Sequence, residues 1–299
     1  MAEDAVAPVS VRVAAAQYPL EALGHWSDFR AKIERWVAEA AGQGAQLLVF
    51  PEYFSLELAA IFGETVARSL PLSLSRLQRS LADFLALFRA LAQTHQLYIC
   101  AGSYPVQIDD DRYCNRAYFF WPTGYCEFQE KLQMTRFESE QWGVSAGAGI
   151  KVFATDFGKV AINVCYDSEF PLFARYQVEQ GADILLVPSC TDTLAGYHRV
   201  RIGCQARALE NQCYVVQSAT VGECPWSAAM DKNVGAAGVY TPVDQGFPTN
   251  GILARGELNK PQWVYADLKL AELARVRQEG QVFNFRDWPG QHLHLRGES

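Results

Sequence analysis

A chain of 299 residues, 49% hydrophobic and 20% charged, is long enough to bury a sizeable core and has an ordinary globular composition. Its net charge of −7 offers no electrostatic footprint for nucleic acid or for an anionic membrane surface. No apolar run approaches the roughly 20 residues that span a bilayer, and residues 1–10, with Glu3 and Asp4 and no basic or apolar leader, read as a loose tail.

In chain order, Ser10 to Gln17 is rich in β-formers and reads as a strand, and Trp26 to Ala41 carries Ile33, Val37 and Ala41 on one helical face. Ala45 to Phe50 is a buried strand ending in Pro51-Glu52-Tyr53-Phe54. Ser75 to Thr94 has Leu77, Leu81, Phe84, Leu85, Phe88 and Leu91 at helical spacing, and Leu97 to Cys100 returns as strand. Tyr113 to Trp121 and Tyr125 to Lys131 flank Pro122-Thr123-Gly124, a hairpin signal. A polar loop, Gln133 to Gly149, leads to strands at Ile150 to Thr155 and Lys159 to Val164. Beyond them come a helix at Phe173 to Gln180, a strand at Asp183 to Ser189, a helix at Arg199 to Asn211 and a strand at Tyr214 to Gln217. Strands at Gly238 to Thr241 and Val264 to Leu268 and a helix at Leu270 to Gln278 complete the order. Strands alternating with helices and no linker predict one layered α/β domain over 11–280, followed by an aromatic tail over 281–299.

The eight cysteines form no C-x-x-C pair and several lie in apolar runs, as reduced core thiols do, which points to a cytoplasmic protein. The five histidines lack zinc-ligand spacing, and no phosphate-loop or dinucleotide fingerprint occurs, so neither a metal nor another cofactor is expected. Chemistry concentrates at three positions, Glu52, Lys131 and Cys165, each of which directly follows a predicted strand. At the carboxyl ends of strands they can converge on one crevice. Cys165 stands at a strand-to-helix corner, where Asp167 or Ser168 can cap the helix and Pro171 fits its first turn. A helix N-terminus there would lower the thiol pKa. Taken singly, each has a plain structural account: a core thiol, a solvated carboxylate, an exposed strand end. Together they supply a nucleophile, a base and a fixed cation.

These residues sit in a recognisable order. Leu47-Leu-Val-Phe-Pro-Glu52, Glu130-Lys131-Leu, Asn163-Val-Cys-Tyr-Asp with Phe170-Pro171, Asp183-Ile-Leu-Leu-Val-Pro-Ser189 and Arg207-Ala-Leu-Glu-Asn-Gln-Cys-Tyr-Val215 together resemble the nitrilase superfamily of carbon–nitrogen hydrolases over nearly the whole chain. The resemblance implies a four-layer αββα sandwich with a Glu-Lys-Cys triad and no cofactor. In it Glu52 takes the proton of Cys165, Cys165 attacks the carbonyl or nitrile carbon to give a thioester or thioimidate, and Lys131 with the backbone N–H of Tyr166 receives the oxyanion. A second glutamate usually follows the lysine. Glu138 and Glu140 are both candidates, and Glu140 is preferred for its place before Trp142 and Gly147.

The chain departs from the family pattern at three places: Gln133 where many relatives carry histidine, Arg199 after the Tyr197-His198 pair where many carry tryptophan, and Glu169 where arginine is common. Glu169 either disfavours substrates bearing a carboxylate or points to solvent. Tyr53, Phe54, Phe170, Tyr197 and Trp226 are the aromatic candidates for a substrate pocket. The expected substrate is a small linear amide or carbamoyl amide, with nitrile hydrolysis or acyl transfer to an amine open to the same thioester chemistry. A papain-like pair of Cys165 and His198 and a catalytically quiet interaction module are the readings of other classes. Arginine interleaved with apolar residues in the helices after Cys165 and after Ser189 suggests a homodimer or higher homo-oligomer, with the aromatic tail as a possible clasp.

Overall fold

The computed structural model describes residues 10–110, 112–291 and 295. Its strands are β1 (Ser10–Pro19), β2 (Leu47–Val49), β3 (Tyr98–Asp109), β4 (Arg112–Phe120), β5 (Cys126–Glu130), β6 (Val144–Ser145), β7 (Phe153–Thr155), β8 (Gly158–Ile162), β9 (Ala182–Ser189), β10 (Tyr214–Glu223), β11 (Lys232–Asn233), β12 (Gly238–Tyr240), β13 (Ile252–Arg255) and β14 (Gln262–Lys269). The helices are α1 (Trp26–Gly42), α2 (Glu64–Ala67), α3 (Leu70–Leu77), α4 (Leu81–His95), α5 (Arg136–Glu140), α6 (Pro171–Glu179), α7 (Leu194–Asn211), α8 (Leu270–Glu279) and α9 (Asn284–Asp287).

Hydrogen bonding runs continuously in the order β5-β4-β3-β2-β1-β10-β9-β8-β7. The path is pinched at β1. Residues 10–17 of that strand pair antiparallel with β14, and only residues 17–19 reach β10. The sheet therefore curls into two faces joined at one corner, with β2 and β3 approaching β9 across the gap. Alternation along β1 divides its side chains between two cores. Val11, Val13 and Ala15 enter the layer between the faces, whereas Ala14, Ala16 and Tyr18 pack under α1 and α4. Helices α6 and α7 cover the opposite side through Ala174, Val178, Val200, Cys204 and Ala208. This is the expected mixed α/β sandwich. Its central strands, β3-β2-β1-β10-β9-β8, are parallel to one another, so several carboxyl ends open on one side.

Among the elements that differ from expectation, two do so for clear local reasons. The strand expected to stop at Cys100 continues to Asp109 after a register break between Cys100 and Ser103, with Gly102 at φ 58°. Gly102 and Pro105 disguise that continuation. The long helix expected over Ser75 to Thr94 is divided by a 3-10 turn, Gln78–Ser80, into α3 and α4. The aromatic tail packs against its own chain: Phe285 meets the core, the Arg175 guanidinium lies 4.5 Å from the Phe285 ring, and Arg175 Nη2 donates to the Phe285 carbonyl at 3.0 Å. Most of residues 1–10 lies outside the described residues, and Ser10 begins β1. Among the described residues no helix is long and apolar enough to cross a membrane.

Gly102 sits where β3 passes the corner that carries Glu52. A Cβ there would lie 2.1 Å from the Pro51 carbonyl oxygen and 2.6 Å from Phe54. Left-handed backbone alone costs a non-glycine residue about 1–3 kcal/mol, and the clash adds to it. Gly102→Ala is expected to lower unfolding stability by at least about 2 kcal/mol, read from the denaturant midpoint. An unmoved midpoint would contradict the close approach.

Candidate active site

Glu52, Lys131 and Cys165 come together at one end of the sandwich, each held by backbone outside the regular strands. After β2, Tyr53 takes a left-handed conformation (φ 55°), and its N–H donates to Ser103 Oγ at 3.0 Å. That turn folds Glu52 inward. Lys131 follows β5. Its N–H donates to the Asn115 carbonyl at 2.8 Å, and its own carbonyl accepts from Gly147 N–H at 2.8 Å. Cys165 follows β8, is also left-handed (φ 50°), and opens a 3-10 turn, Cys165–Glu169. Left-handed bulky residues are uncommon and tend to gather at functional sites.

Asp167 joins two of these corners. Its carboxylate accepts from the N–H groups of Leu132 (3.1 Å), Gln133 (2.7 Å) and Val164 (3.2 Å). It was expected, with Ser168 as the alternative, to cap the following helix. Instead α6 starts at Pro171 behind Phe170 without a side-chain cap, and Ser168 Oγ donates to the Cys165 carbonyl at 2.6 Å. The 3-10 turn thus separates Cys165 from the α6 N-terminus.

The centre of the site is Lys131, 1% exposed, whose Nζ donates to Glu52 Oε1 at 2.8 Å and to Glu138 Oε2 at 2.6 Å. Glu138 also accepts from Tyr53 Oη (2.8 Å), Thr135 N–H (2.9 Å) and Thr135 Oγ1 (2.8 Å). Glu138, not Glu140, is the glutamate that meets the lysine. Glu140 lies on the outer side of α5, half exposed, and accepts from Arg136 at 2.7 Å. Positions two apart on a helix face away from each other. The pattern Thr135-x-x-Glu138, a capping box, was the sequence signal for the inward glutamate.

The environment pushes the two glutamates apart. Burial raises Glu52, the Lys131 ammonium opposes that, and Glu138 adds to it, leaving Glu52 above the usual carboxylate range. Burial also acts to raise Glu138, but the Lys131 charge and its hydrogen bonds outweigh it and hold Glu138 below that range. For Lys131, burial favours the neutral amine, yet Glu52 and Glu138 together keep it an ammonium well beyond its ordinary range. Burial and the Glu52 charge raise the Cys165 thiol well above its ordinary value, against the pull of Lys131. The lowering expected from a helix N-terminus is therefore outweighed. Cys165 Sγ–H donates to the Cys190 carbonyl at 3.6 Å, and the Glu52 carboxylate is close enough for the two groups to shift each other's proton affinity.

These groups line a cavity of about 390 Å³ together with Phe137, Trp142, Cys190, Met230 and Arg199. Of the aromatic candidates only Tyr53 reaches it. Phe54 is buried in the core under α1 and α4, Trp226 packs against that same core, and Phe170 packs edge-on against Tyr166. Tyr197 is buried on α7, in the field of Arg255 and Arg201. Phe137 and Trp142, which were missed, supply the aromatic wall and are in ring contact at 5.3 Å. Two departures from the family pattern prove to be partners, because Arg199 Nε donates to Glu169 Oε1 at 2.7 Å. Glu169 therefore does not present a bare negative charge to the cavity. No histidine lines it among the described residues, which removes the geometry a Cys165–His198 pair requires. A larger groove between α1 and α4 lies away from all of this chemistry.

The carbon-nitrogen hydrolase family model matches residues 12–278. The chain belongs to that family. It is 38% identical over 286 residues to the probable hydrolase YhcX of Bacillus subtilis (strain 168), an overlap covering 96% of this chain but 55% of that protein, so it spans about half the length of this relative. It is 26% identical over 262 residues to omega-amidase NIT2 of Danio rerio, covering 85% of this chain and 87% of that one. Among solved structures, the carbon-nitrogen hydrolase from Helicobacter pylori G27 superposes with a TM-score of 0.76 at 20% identity, over 95% of each chain. A mutant of the amidase from Nesterenkonia sp. AN1, showing the result of Michael addition of acrylamide at its active site cysteine, superposes at 0.68 and 22% identity, over 93% of this chain and 99% of that one. These two structures share the fold.

The positions of Glu138 and Glu140 lead to opposite expectations. Removing one partner of a buried ion pair costs about 3–5 kcal/mol, whereas exposed pairs are worth about 0.2–1 kcal/mol. Glu138→Gln is expected to lower stability by about 3 kcal/mol, and Glu140→Gln to leave the unfolding midpoint almost unchanged. The reverse order would contradict the inward placement of Glu138.

Proposed function

We propose that the protein is an amidase that hydrolyses a small linear amide or carbamoyl amide through a thioester on Cys165. The observation that carries this reading is the unequal pair of glutamates around one buried ammonium, with the Cys165 thiol lining the same cavity. Two carboxylates driven to different proton affinities are a mark of divided acid–base roles. Glu138 stays ionised and fixes Lys131, while Glu52 is free to take and return a proton.

The reaction then runs in two halves. Glu52 takes the Cys165 proton as Sγ bonds to the carbonyl carbon, and the carbonyl electron pair moves to oxygen. Lys131 and the Tyr166 N–H, in the first turn where helical backbone lacks an internal acceptor, receive that oxyanion. Collapse breaks the C–N bond, and protonated Glu52 delivers its proton to the departing amine. Water, deprotonated by Glu52, next attacks the thioester, and the acid leaves as the thiol re-forms. The site needs no histidine, because burial supplies Glu52 with the basicity that an exposed carboxylate lacks.

Two further readings belong to this proposal. Eight free thiols suit a reducing compartment such as the cytoplasm. Exposed Leu172 and Tyr176 of α6 and Leu194, Ile202 and Leu209 of α7 offer the surface for a two-fold homodimer. The described part of the tail already packs on its own chain, so the helices carry this dimer.

A panel of small amides, carbamoyl amino acids and nitriles, read by ammonia or amine release, tests the chemistry. Cys165→Ser and Lys131→Ala should each reduce turnover on the best amide by at least about 10²–10³-fold while the proteins remain folded. Turnover that survives Lys131→Ala would overturn the proposal. Because Glu52 is raised, the acid limb of kcat/KM should lie above the ordinary carboxylate range: as pH falls through that raised value, the base becomes protonated and rate is lost. A limb at or below the ordinary range would deny Glu52 the base role. For the assembly, light scattering at micromolar concentration should give about twice the chain mass, and Ile202→Glu should halve it. A monomer in both cases would exclude this face.

A further inference from the structure

Asn115 of β4 is completely buried between the two glutamates. Its Nδ2 donates to Glu52 Oε1 at 2.9 Å and reaches Glu138 Oε1 at 3.4 Å, while its backbone carbonyl accepts the Lys131 N–H at 2.8 Å. Its Oδ1 is buried and has no hydrogen-bond partner among the described residues. Chemistry fixes which end of the amide faces inward, since the reverse orientation would set Oδ1 against two carboxylate acceptors. An asparagine selected for packing or for strand pairing alone has no reason to leave a buried carbonyl oxygen unpaired, which is costly. The orphaned oxygen accompanies the placing of both N–H groups on the carboxylates.

We propose that Asn115 is the positioning residue that aims Glu52 and sets its readiness to accept the thiol proton. The inference rests on the reading of Glu52 as the base. Glu52 Oε1 receives two donors, Lys131 Nζ and Asn115 Nδ2, and is thereby saturated. The second carboxylate oxygen remains as the acceptor for Cys165. Donation to the ionised form also opposes the upward push of burial. Through its carbonyl the same residue anchors the lysine backbone. One residue thus sets the spacing between the base and the ammonium.

The test is the pH dependence of Cys165 alkylation by iodoacetamide, read by peptide mass mapping, together with steady-state kinetics on the best amide of the panel. In the unaltered protein, alkylation should rise with pH as Glu52 ionises. Asn115→Ala removes both donors, and its alkylation limb should move to higher pH by about one unit, with kcat down about 10²-fold and KM within about threefold. Asn115→Ser, a smaller perturbation, should shift the limb in the same direction. An unmoved limb in a folded variant, whatever happens to kcat, overturns the proposal, and so does failure of both variants to fold, which would make Asn115 a residue of the fold. Glu52→Gln separates the underlying reading: if that variant retains the limb, Glu52 is not the base, whereas its loss together with an unmoved limb in Asn115→Ala sinks the Asn115 proposal alone.

Discussion

Everything at this site depends on one ammonium group held in a dry pocket between two carboxylates. Removing Lys131 from water costs several kcal/mol, and a single counter-ion in poor geometry would not offset it. Glu52 and Glu138 approach Nζ at 2.8 and 2.6 Å, and their remaining lone pairs are met by Asn115, Tyr53 and Thr135. With one positive charge and two potential negative ones, the pocket cannot treat its carboxylates alike. The glutamate with more donors keeps its charge, and the other is left adjustable. Burial pushes the Cys165 thiol up, and the Glu52 charge adds to it, since a thiolate beside an ionised Glu52 would bring in a further negative charge. In the proposed mechanism the nucleophile is therefore one generated by proton transfer within the site, since the thiol is pushed up.

The fold makes this possible by letting non-adjacent strand ends meet. Because β14 occupies most of one edge of β1, the path to β10 is confined to residues 17–19, and the sheet closes into two faces whose parallel strands open toward the same side. Two of the left-handed non-glycine residues, Tyr53 and Cys165, stand at that end. Asp167 then ties the residues after Lys131 to the corner of Cys165, so the ammonium and the sulfur are held by a shared carboxylate as well as by their own strands. Such cross-bracing keeps a reacting constellation in place without moving parts.

The sequence made Glu52, Lys131 and Cys165 legible because each follows an apolar strand, and because their order and spacing carry the family likeness. The sandwich was legible for the same reason. What remained hidden depended on which side of a short element a side chain faces. Glu138 and Glu140 both fit the loop, and only the turn of α5, set by the Thr135 cap, decides between them. Phe170 and Tyr197 carry the right chemistry but are turned away, whereas Phe137 and Trp142 sit in a stretch that reads as polar loop. The expected lowering of the thiol assumed a helix capped by Asp167 or Ser168, with its N-terminus beside the cysteine. A 3-10 turn intervenes, and burial beside Glu52 outweighs any dipole. The Glu169–Arg199 pair was equally out of reach, since its members come from different elements 30 residues apart.

The central claim, that Cys165 becomes an acyl thioester by giving its proton to Glu52 beside the Lys131 ammonium, is tested most directly by trapping that species. Rapid acid quenching during turnover of a slow amide, followed by intact-mass and peptide mass spectrometry, should reveal an adduct of the acyl mass on Cys165. The adduct should be lost in Glu52→Gln, in which no base remains to release the thiol. An adduct on another residue, or an undiminished Cys165 adduct in Glu52→Gln, would contradict the account.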